Sequence, residues 1–154
     1  MSRLGYFGLF LIINFGSLAL GSLLMGEGPT SDWYISLNKA PWTPPGWVFG
    51  ASWTLIMICF SVYLSYLFTI RNSNFVKTLF TIQVVLNISW NFLFFNQHWV
   101  LFALINIIML TLLIIYLFIS FGDGKLSKMK YLLLPYIIWL CIATSLNAYI
   151  YIYN

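Results

Sequence analysis

Five long apolar segments, separated by short polar stretches, cover nearly the whole of this chain. They lie at about residues 4–25, 46–70, 76–96, 99–121 and 130–152. Each has the roughly 20 apolar residues that a helix needs to cross the hydrocarbon of a bilayer. The apolar runs are continuous and lack the alternation of the roughly 10-residue strands of a membrane barrel. The pattern predicts an all-α membrane protein, a bundle of five transmembrane helices forming a single domain over 1–154.

The charged residues between these segments are distributed unevenly. With five spans, Lys39 is the lone basic residue on one side of the membrane. The other side carries Arg3, Arg71, Lys77, Lys125, Lys128 and Lys130. Because Lys and Arg concentrate in short cytoplasmic loops, we expect the N-terminus inside and the C-terminus outside. The net charge of +4 then reflects topology rather than nucleic-acid binding. The first segment is longer than a signal-peptide core, and we expect it to be retained.

The stretch between the first two spans, residues 33–53, is rich in tryptophan and proline. It holds four of the seven tryptophans and three of the five prolines. Proline fixes φ, removes a hydrogen-bond donor and restricts the residue before it. We therefore expect a structured Trp/Pro-rich loop, with Trp42 and Pro44 in a lid or pocket wall over the bundle.

Amide and aromatic side chains form stripes at helical spacing on three spans. The stripes are Trp53, Met57 and Phe60 on span two, Asn87, Trp90, Asn91 and Phe94 on span three, and Trp139, Ala143 and Asn147 on span five. Asparagines in membranes often bond only across helices, and aromatic residues often only fill space. Three stripes beneath a stiff loop instead favour an apolar cavity for a flat, largely hydrophobic ligand.

Other chemistry finds little support in the sequence. No span carries an ionisable side chain in its core, which weighs against an ion-driven transporter and against acid–base catalysis at membrane depth. His98 lies at a loop edge, and Cys59 and Cys141 lie within spans, where they are expected to act as small packing residues. We therefore predict no metal site and no required cofactor.

These residues resemble the motifs of the TspO/MBR family, the tryptophan-rich sensory proteins that include the mitochondrial translocator protein or peripheral benzodiazepine receptor. The matching positions are Trp33-Tyr34, Lys39 to Pro45, Trp47 and Trp53, then Leu86-Asn87, Trp90 and Phe94-Phe95, then Leu134 to Tyr136, Trp139, Ala143-Thr144 and Leu146-Asn147. The three motifs occur in order from about residue 33 to 150, which makes the resemblance specific.

The resemblance implies a five-helix bundle, commonly a homodimer, with a pocket under the first loop. That pocket would bind porphyrins such as protoporphyrin IX, and synthetic isoquinoline carboxamide or benzodiazepine ligands. Carried over by position, it would include Tyr34, Pro44, Trp53, Asn91, Phe94, Trp139 and Ala143.

In bacterial members, tryptophans matching Trp53 and Trp139 are implicated in light- and oxygen-dependent porphyrin breakdown. The resemblance therefore leaves three functions open: a porphyrin sensor or receptor, a photo-oxidative enzyme that uses these two tryptophans, and a transporter of tetrapyrroles or lipids. No Lys or Arg follows Tyr149, as the cholesterol pattern of animal members would require. This favours a bacterial plasma membrane over a mitochondrial one.

Overall fold

Helices form nearly all of the regular structure of the chain. The computed structural model describes residues 1–154 and contains no strand. Its α-helices are α1 (Arg3–Leu24), α2 (Asp32–Ser36), α3 (Gly46–Ile70), α4 (Asn74–Asn91), α5 (Val100–Ser120) and α6 (Leu134–Tyr153). Short 3₁₀ turns cover Gly28–Thr30, Gly124–Leu126 and Met129–Leu133, and a π-helical turn, Phe92–Asn96, extends α4. All helices except α2 belong to stretches long and apolar enough to cross a membrane, which confirms the all-α architecture with five candidate spans.

The start of α6 differs from the sequence-based expectation. Pro135 inside a helix would free the carbonyl of Tyr131 from its hydrogen bond, and the sequence predicts that effect. In the structure, Pro135 lies in the first turn of α6, where its missing N–H costs nothing. The Tyr131 carbonyl has no helical bond from Pro135, as expected, but it is not unpaired, because it accepts a hydrogen bond from Leu134 N in the preceding 3₁₀ turn.

The five long helices form a closed ring that does not follow chain order. Helix α1 packs between α3 and α4, α5 packs between α4 and α6, and α6 returns to α3. Hydrogen bonds between polar side chains join neighbouring helices of this ring. Asn14 Nδ2 of α1 donates to Ser61 Oγ of α3 at 2.8 Å, and Asn106 Nδ2 of α5 donates to Ser89 Oγ of α4 at 2.7 Å.

The half of the bundle away from the Trp/Pro-rich loop is tightly filled. Met57, Phe60 and Tyr63 of α3 are fully buried there, together with Ile114 of α5 and Leu140 of α6. Tyr63 OH also donates to the Leu117 carbonyl of α5 at 3.3 Å. This packed half forms a floor, and any interior site must lie between it and the loop.

The small residues of α1 serve packing within the chain. Ser17 and Gly21 are both buried, and the Ser17 hydroxyl donates to the Ile13 carbonyl of its own helix. A Cβ atom added at Gly21 would lie 2.7 Å from Nδ2 of Asn91 on α4. Gly21 thus allows α1 and α4 to approach closely, as small residues do in membrane bundles.

We expect Gly21→Leu to lower the stability of the bundle by about 1–3 kcal/mol, because the new side chain must push α1 away from α4. Gly16→Leu is the matched control, since Gly16 lies on the exposed side of the same helix with open space around it. Thermal unfolding in detergent checks both variants. Equal melting temperatures for the two would contradict the close α1–α4 contact.

Candidate ligand chamber under the first loop

Two tryptophans line the seam between α3 and α6. The ring of Trp139 meets the edge of Phe49 with centroids 5.2 Å apart, and Trp53 meets Tyr136 in the same way at 5.8 Å. Phe49 and Trp53 are one turn apart on α3, and Tyr136 and Trp139 are one turn apart on α6. Trp53 and Trp139 therefore belong to opposite sides of the seam and are offset by about one helical turn.

Helix α4 places the amide of Asn87 beside this seam, between two hydrogen bonds that join α4 to α6. Gln83 Nε2 donates to Tyr136 OH at 2.8 Å, and Trp90 Nε1 donates to Asn147 Oδ1 at 3.0 Å. Asn87 lies on the same face, one turn from each of these contacts, so it points towards α6 near the level of Trp139. Only 6% of Asn87 is exposed, and its side chain makes no hydrogen bond within the chain.

We call this packed aromatic region of the bundle the interior chamber and define it by Phe49, Trp53, Asn87, Trp139 and Ala143, whose apolar members pack in or against the core. Tyr136 and Phe60 close it on the floor side, with ring centroids 5.4 Å apart. Met57, one turn from Trp53, is fully buried at the same level. An apolar region with indole side chains and an amide that has no partner in the chain has the chemistry that suits a flat ligand with few polar groups.

The other two amides of the predicted site have different surroundings. Asn147 is saturated, since it accepts from Trp90 and its Nδ2 donates to the Val100 carbonyl at 3.1 Å. It thereby joins α4, α5 and α6. Asn91 is half-buried against Gly21 of α1 and makes no side-chain hydrogen bond within the chain.

The first half of the loop forms a roof that rests on the end of α4. Trp33 of α2 stacks on His98 with ring centroids 3.9 Å apart and meets the edge of Phe94 at 5.5 Å. Phe94 in turn stacks on Trp90 at 5.0 Å. His98 has a φ of 57°, the one left-handed non-glycine residue of the chain, which turns its ring beneath Trp33.

Tyr34 is the second roof residue predicted from the sequence. Its ring meets Phe95 at 5.3 Å, and burial raises the pKa of its phenol. Lys39 Nζ donates to the Tyr34 and Ile35 carbonyls at 2.8 and 3.2 Å, which satisfies the free C-terminal end of α2. A helix of five residues is not stable alone, so these contacts hold α2 in place.

The second half of the loop is fastened to the outer side of α6. Asn38 N donates to Asn154 Oδ1 at 2.8 Å, and Asn154 Nδ2 donates back to the Asn38 carbonyl at 3.2 Å. Trp42 Nε1 donates to Ser145 Oγ at 3.0 Å. Trp42 is 54% exposed and therefore lies outside the interior chamber. Pro44 is half-buried, two residues before α3 begins.

The structure thus brings most of the predicted residues to one region. The interior chamber region contains Trp53, Met57, Asn87, Trp139 and Ala143. The roof or the layer beneath it contains Tyr34, Trp90 and Phe94. The borders of the region contain Asn91, Asn147, Trp42 and Pro44. Sequence reasoning missed Phe49, Gln83 and Tyr136. Gln83 lies four residues before Asn87 on the same stripe, and that spacing was the available signal.

Known proteins share much of this sequence. The profile of the TspO/MBR family matches residues 9–152. The tryptophan-rich protein TspO of Archaeoglobus fulgidus is 36% identical over 124 residues, which cover 79% of this chain and 80% of the relative. The protein of the same name from Chlorobaculum tepidum is also 36% identical, with 77% of each chain covered. The human translocator protein is 28% identical, over 91% of this chain and 84% of its own.

We expect Asn147→Ala to destabilise the protein by about 1–3 kcal/mol, because it leaves the Trp90 indole N–H without its partner and removes the bond that joins α6 to the Val100 carbonyl of α5. Asn96→Ala removes an exposed amide at the same end of the bundle and serves as the control. Thermal unfolding in detergent measures both. If Asn147→Ala unfolds at the temperature of the control, the junction of three helices at Asn147 has no energetic importance.

Proposed function

Since this chain belongs to the TspO/MBR family, we propose that it is a membrane receptor or sensor that binds porphyrins such as protoporphyrin IX in the interior chamber. One observation carries the proposal. Trp53 and Trp139 lie about one turn apart along the α3–α6 seam, Trp53 against Tyr136 and Trp139 against Phe49, and the nearby Asn87 of α4 makes no hydrogen bond within the chain. Indole faces stack on planar rings, and an amide orients a polar edge of the ligand.

The roof provides a route for binding. In the structure, Trp90, Phe94 and Trp33 fill the space beneath the loop by stacking and edge contacts. Entry of a macrocycle requires these rings to move, whereas the buried floor around Phe60 and Tyr136 does not need to change. The roof contacts are few and partly exposed, which is typical of segments that open locally.

Photo-oxidative breakdown of the bound porphyrin is a second candidate function, favoured by the paired tryptophans. In this scheme the excited porphyrin takes an electron from the indole of Trp53 or Trp139, which gives a porphyrin anion and an indole radical cation. The porphyrin anion passes its electron to O₂, which becomes superoxide. The indole radical then recovers an electron from the macrocycle, and the oxidised macrocycle is open to attack by the reduced oxygen species.

We propose further ligands, a homodimer and a membrane location on the same basis. Isoquinoline carboxamide and benzodiazepine ligands have the flat apolar form that suits the interior chamber, and a homodimer is the expected assembly. We place the protein in a bacterial plasma membrane with the roof and C-terminus outside. The support for this orientation is the clustering of Arg3, Arg71 and four lysines at the end of the bundle opposite the roof.

We expect Asn87→Leu to weaken binding of protoporphyrin IX by about threefold to tenfold, the value of one hydrogen bond. A titration of the purified protein in the dark, followed by tryptophan quenching, measures the affinity. Asn96→Leu, at an exposed site on the same helix end, should bind as the wild type does. No saturable quenching by the wild type would refute porphyrin binding itself, and equal affinity in Asn87→Leu would remove this amide from the site.

We expect Trp53→Phe and Trp139→Phe to keep dark affinity within about threefold, since phenylalanine retains an apolar ring. The double variant should slow the light-driven loss of the porphyrin Soret band at least tenfold, because phenylalanine is far harder to oxidise, and each single variant should slow it less, since the other indole remains. Trp47→Phe is the matched control, since Trp47 is 75% exposed and outside the interior chamber. If the Soret band decays at the same rate in the double variant as in the control, the two tryptophans have no photochemical role, and the binding function remains.

A further inference from the structure

A second apolar site lies on the outside of the bundle, in a groove between α4 and α5. The groove has a volume of about 330 Å³ and is lined by Leu86, Leu93, Trp99, Phe102, Ile105 and Met109, with Asn106 as its one polar residue. Phe102 and Met109 are 60% and 52% exposed and form its raised sides. Asn106 lies on α5, whereas the residues that define the interior chamber lie on α3, α4 and α6, so the groove is a separate site.

Asn106 has one carboxamide oxygen that nothing in the chain satisfies. Its Nδ2 donates to Ser89 Oγ at 2.7 Å, and that hydroxyl donates onward to the Leu86 carbonyl at 3.3 Å. In the structure the nitrogen of Asn106 faces Ser89, and the Ser89 proton is directed to the Leu86 carbonyl. Its Oδ1 is buried without a hydrogen-bond partner. The residue as a whole is 8% exposed and lines the groove.

The depth of this oxygen limits which donor can reach it. Asn106 follows Trp99 by seven residues on α5, which places it roughly 10 Å below that residue at 1.5 Å per residue. Trp99 is half-exposed at the start of α5, where an indole lies at the level of the lipid headgroups. Bulk water does not enter the hydrocarbon at this depth, so a donor must arrive on an apolar molecule.

We propose that this groove binds a membrane amphiphile that carries a hydroxyl group midway along its apolar part. The polar end of the amphiphile would lie near Trp99, its chain along Ile105 and Met109, and its hydroxyl against Asn106 Oδ1 after a small rotation of that amide. A lipid whose donors are all in the headgroup would leave the oxygen unpaired. A hydroxylated chain satisfies it and fills the groove at the same time.

A second copy of the chain fits the groove less well. Two grooves facing each other about a twofold axis would bring the exposed Phe102 and Met109 side chains into contact first. The two Asn106 amides, recessed beneath them, would not meet. The concave form and the recessed acceptor therefore favour a narrow ligand over a flat helix-to-helix interface.

The test compares 10-hydroxystearic acid with stearic acid, which differs only in lacking the mid-chain hydroxyl. Native mass spectrometry of the full-length protein released from detergent counts the bound fatty acid across a titration of each probe. We expect the wild type to prefer the hydroxylated probe by about threefold to tenfold. Asn106→Leu should lose this preference and bind both probes equally. Thr111→Val should retain it, since Thr111 lies on the same helix but lines the separate groove towards α6.

Equal binding of the two probes to the wild type would overturn the proposal, and so would a preference that persists in Asn106→Leu. Dimers that are lost in Asn106→Leu, together with no preference between the probes, would assign the groove to a second copy and also overturn it. Because Asn106→Leu also removes the hydrogen bond to Ser89, thermal unfolding in detergent is measured first, and the probes are compared on protein that melts as a folded bundle. Protoporphyrin IX titration of the same variants should be unchanged, which separates this site from the interior chamber.

Discussion

An amide inside the bilayer can find a partner only within the protein or on a bound molecule, because hydrocarbon offers neither donors nor acceptors. The arrangement of the helices follows this constraint closely. The Asn14–Ser61 bond joins α1 to α3, and the Asn106–Ser89 bond joins α5 to α4. Asn147 gathers α4, α5 and α6 at one point. Chain order alone would place α3 beside α4, yet the ring instead places α1 between them, in agreement with these pairs.

The same constraint separates structural amides from those available to a ligand. Asn147 uses both ends of its side chain within the protein, so it fixes the geometry of the bundle. Asn87 is equally buried but unused, and it lies among the aromatic walls of the interior chamber. An unpaired amide in an apolar setting costs free energy unless something else satisfies it. The surroundings of Asn87, rather than the fact that it is an asparagine, therefore distinguish it from the structural amides.

Hydropathy alone is sufficient to predict the five spans of this chain, because burial in lipid requires continuous apolar runs. The bounds agree to within two residues when the turns Phe92–Asn96 and Met129–Leu133 are counted with α4 and α6. The stripes of α3, α4 and α6 also follow from helical periodicity. Periodicity identifies a face, however, and does not identify the helix that this face meets. For this reason the saturation of Asn147, the outward position of Trp42 and the part played by Gln83 could not be predicted. Pro135 shows the same limit, since its effect depends on whether the helix begins before or after it.

The contrast between floor and roof determines how the interior chamber can work. The floor is held by fully buried side chains of three helices, which exchange neighbours only if the bundle itself unfolds. The roof rests on stacking of Trp33 on His98 and on hydrogen bonds of Asn38 and Trp42 to α6. Each of these contacts contributes about 1 kcal/mol at most where it is exposed, so the roof can detach in steps while the walls keep their spacing. Because Trp139 and Trp53 are themselves packed against Phe49 and Tyr136, a ligand bound between them must displace these aromatic contacts as well as the loop.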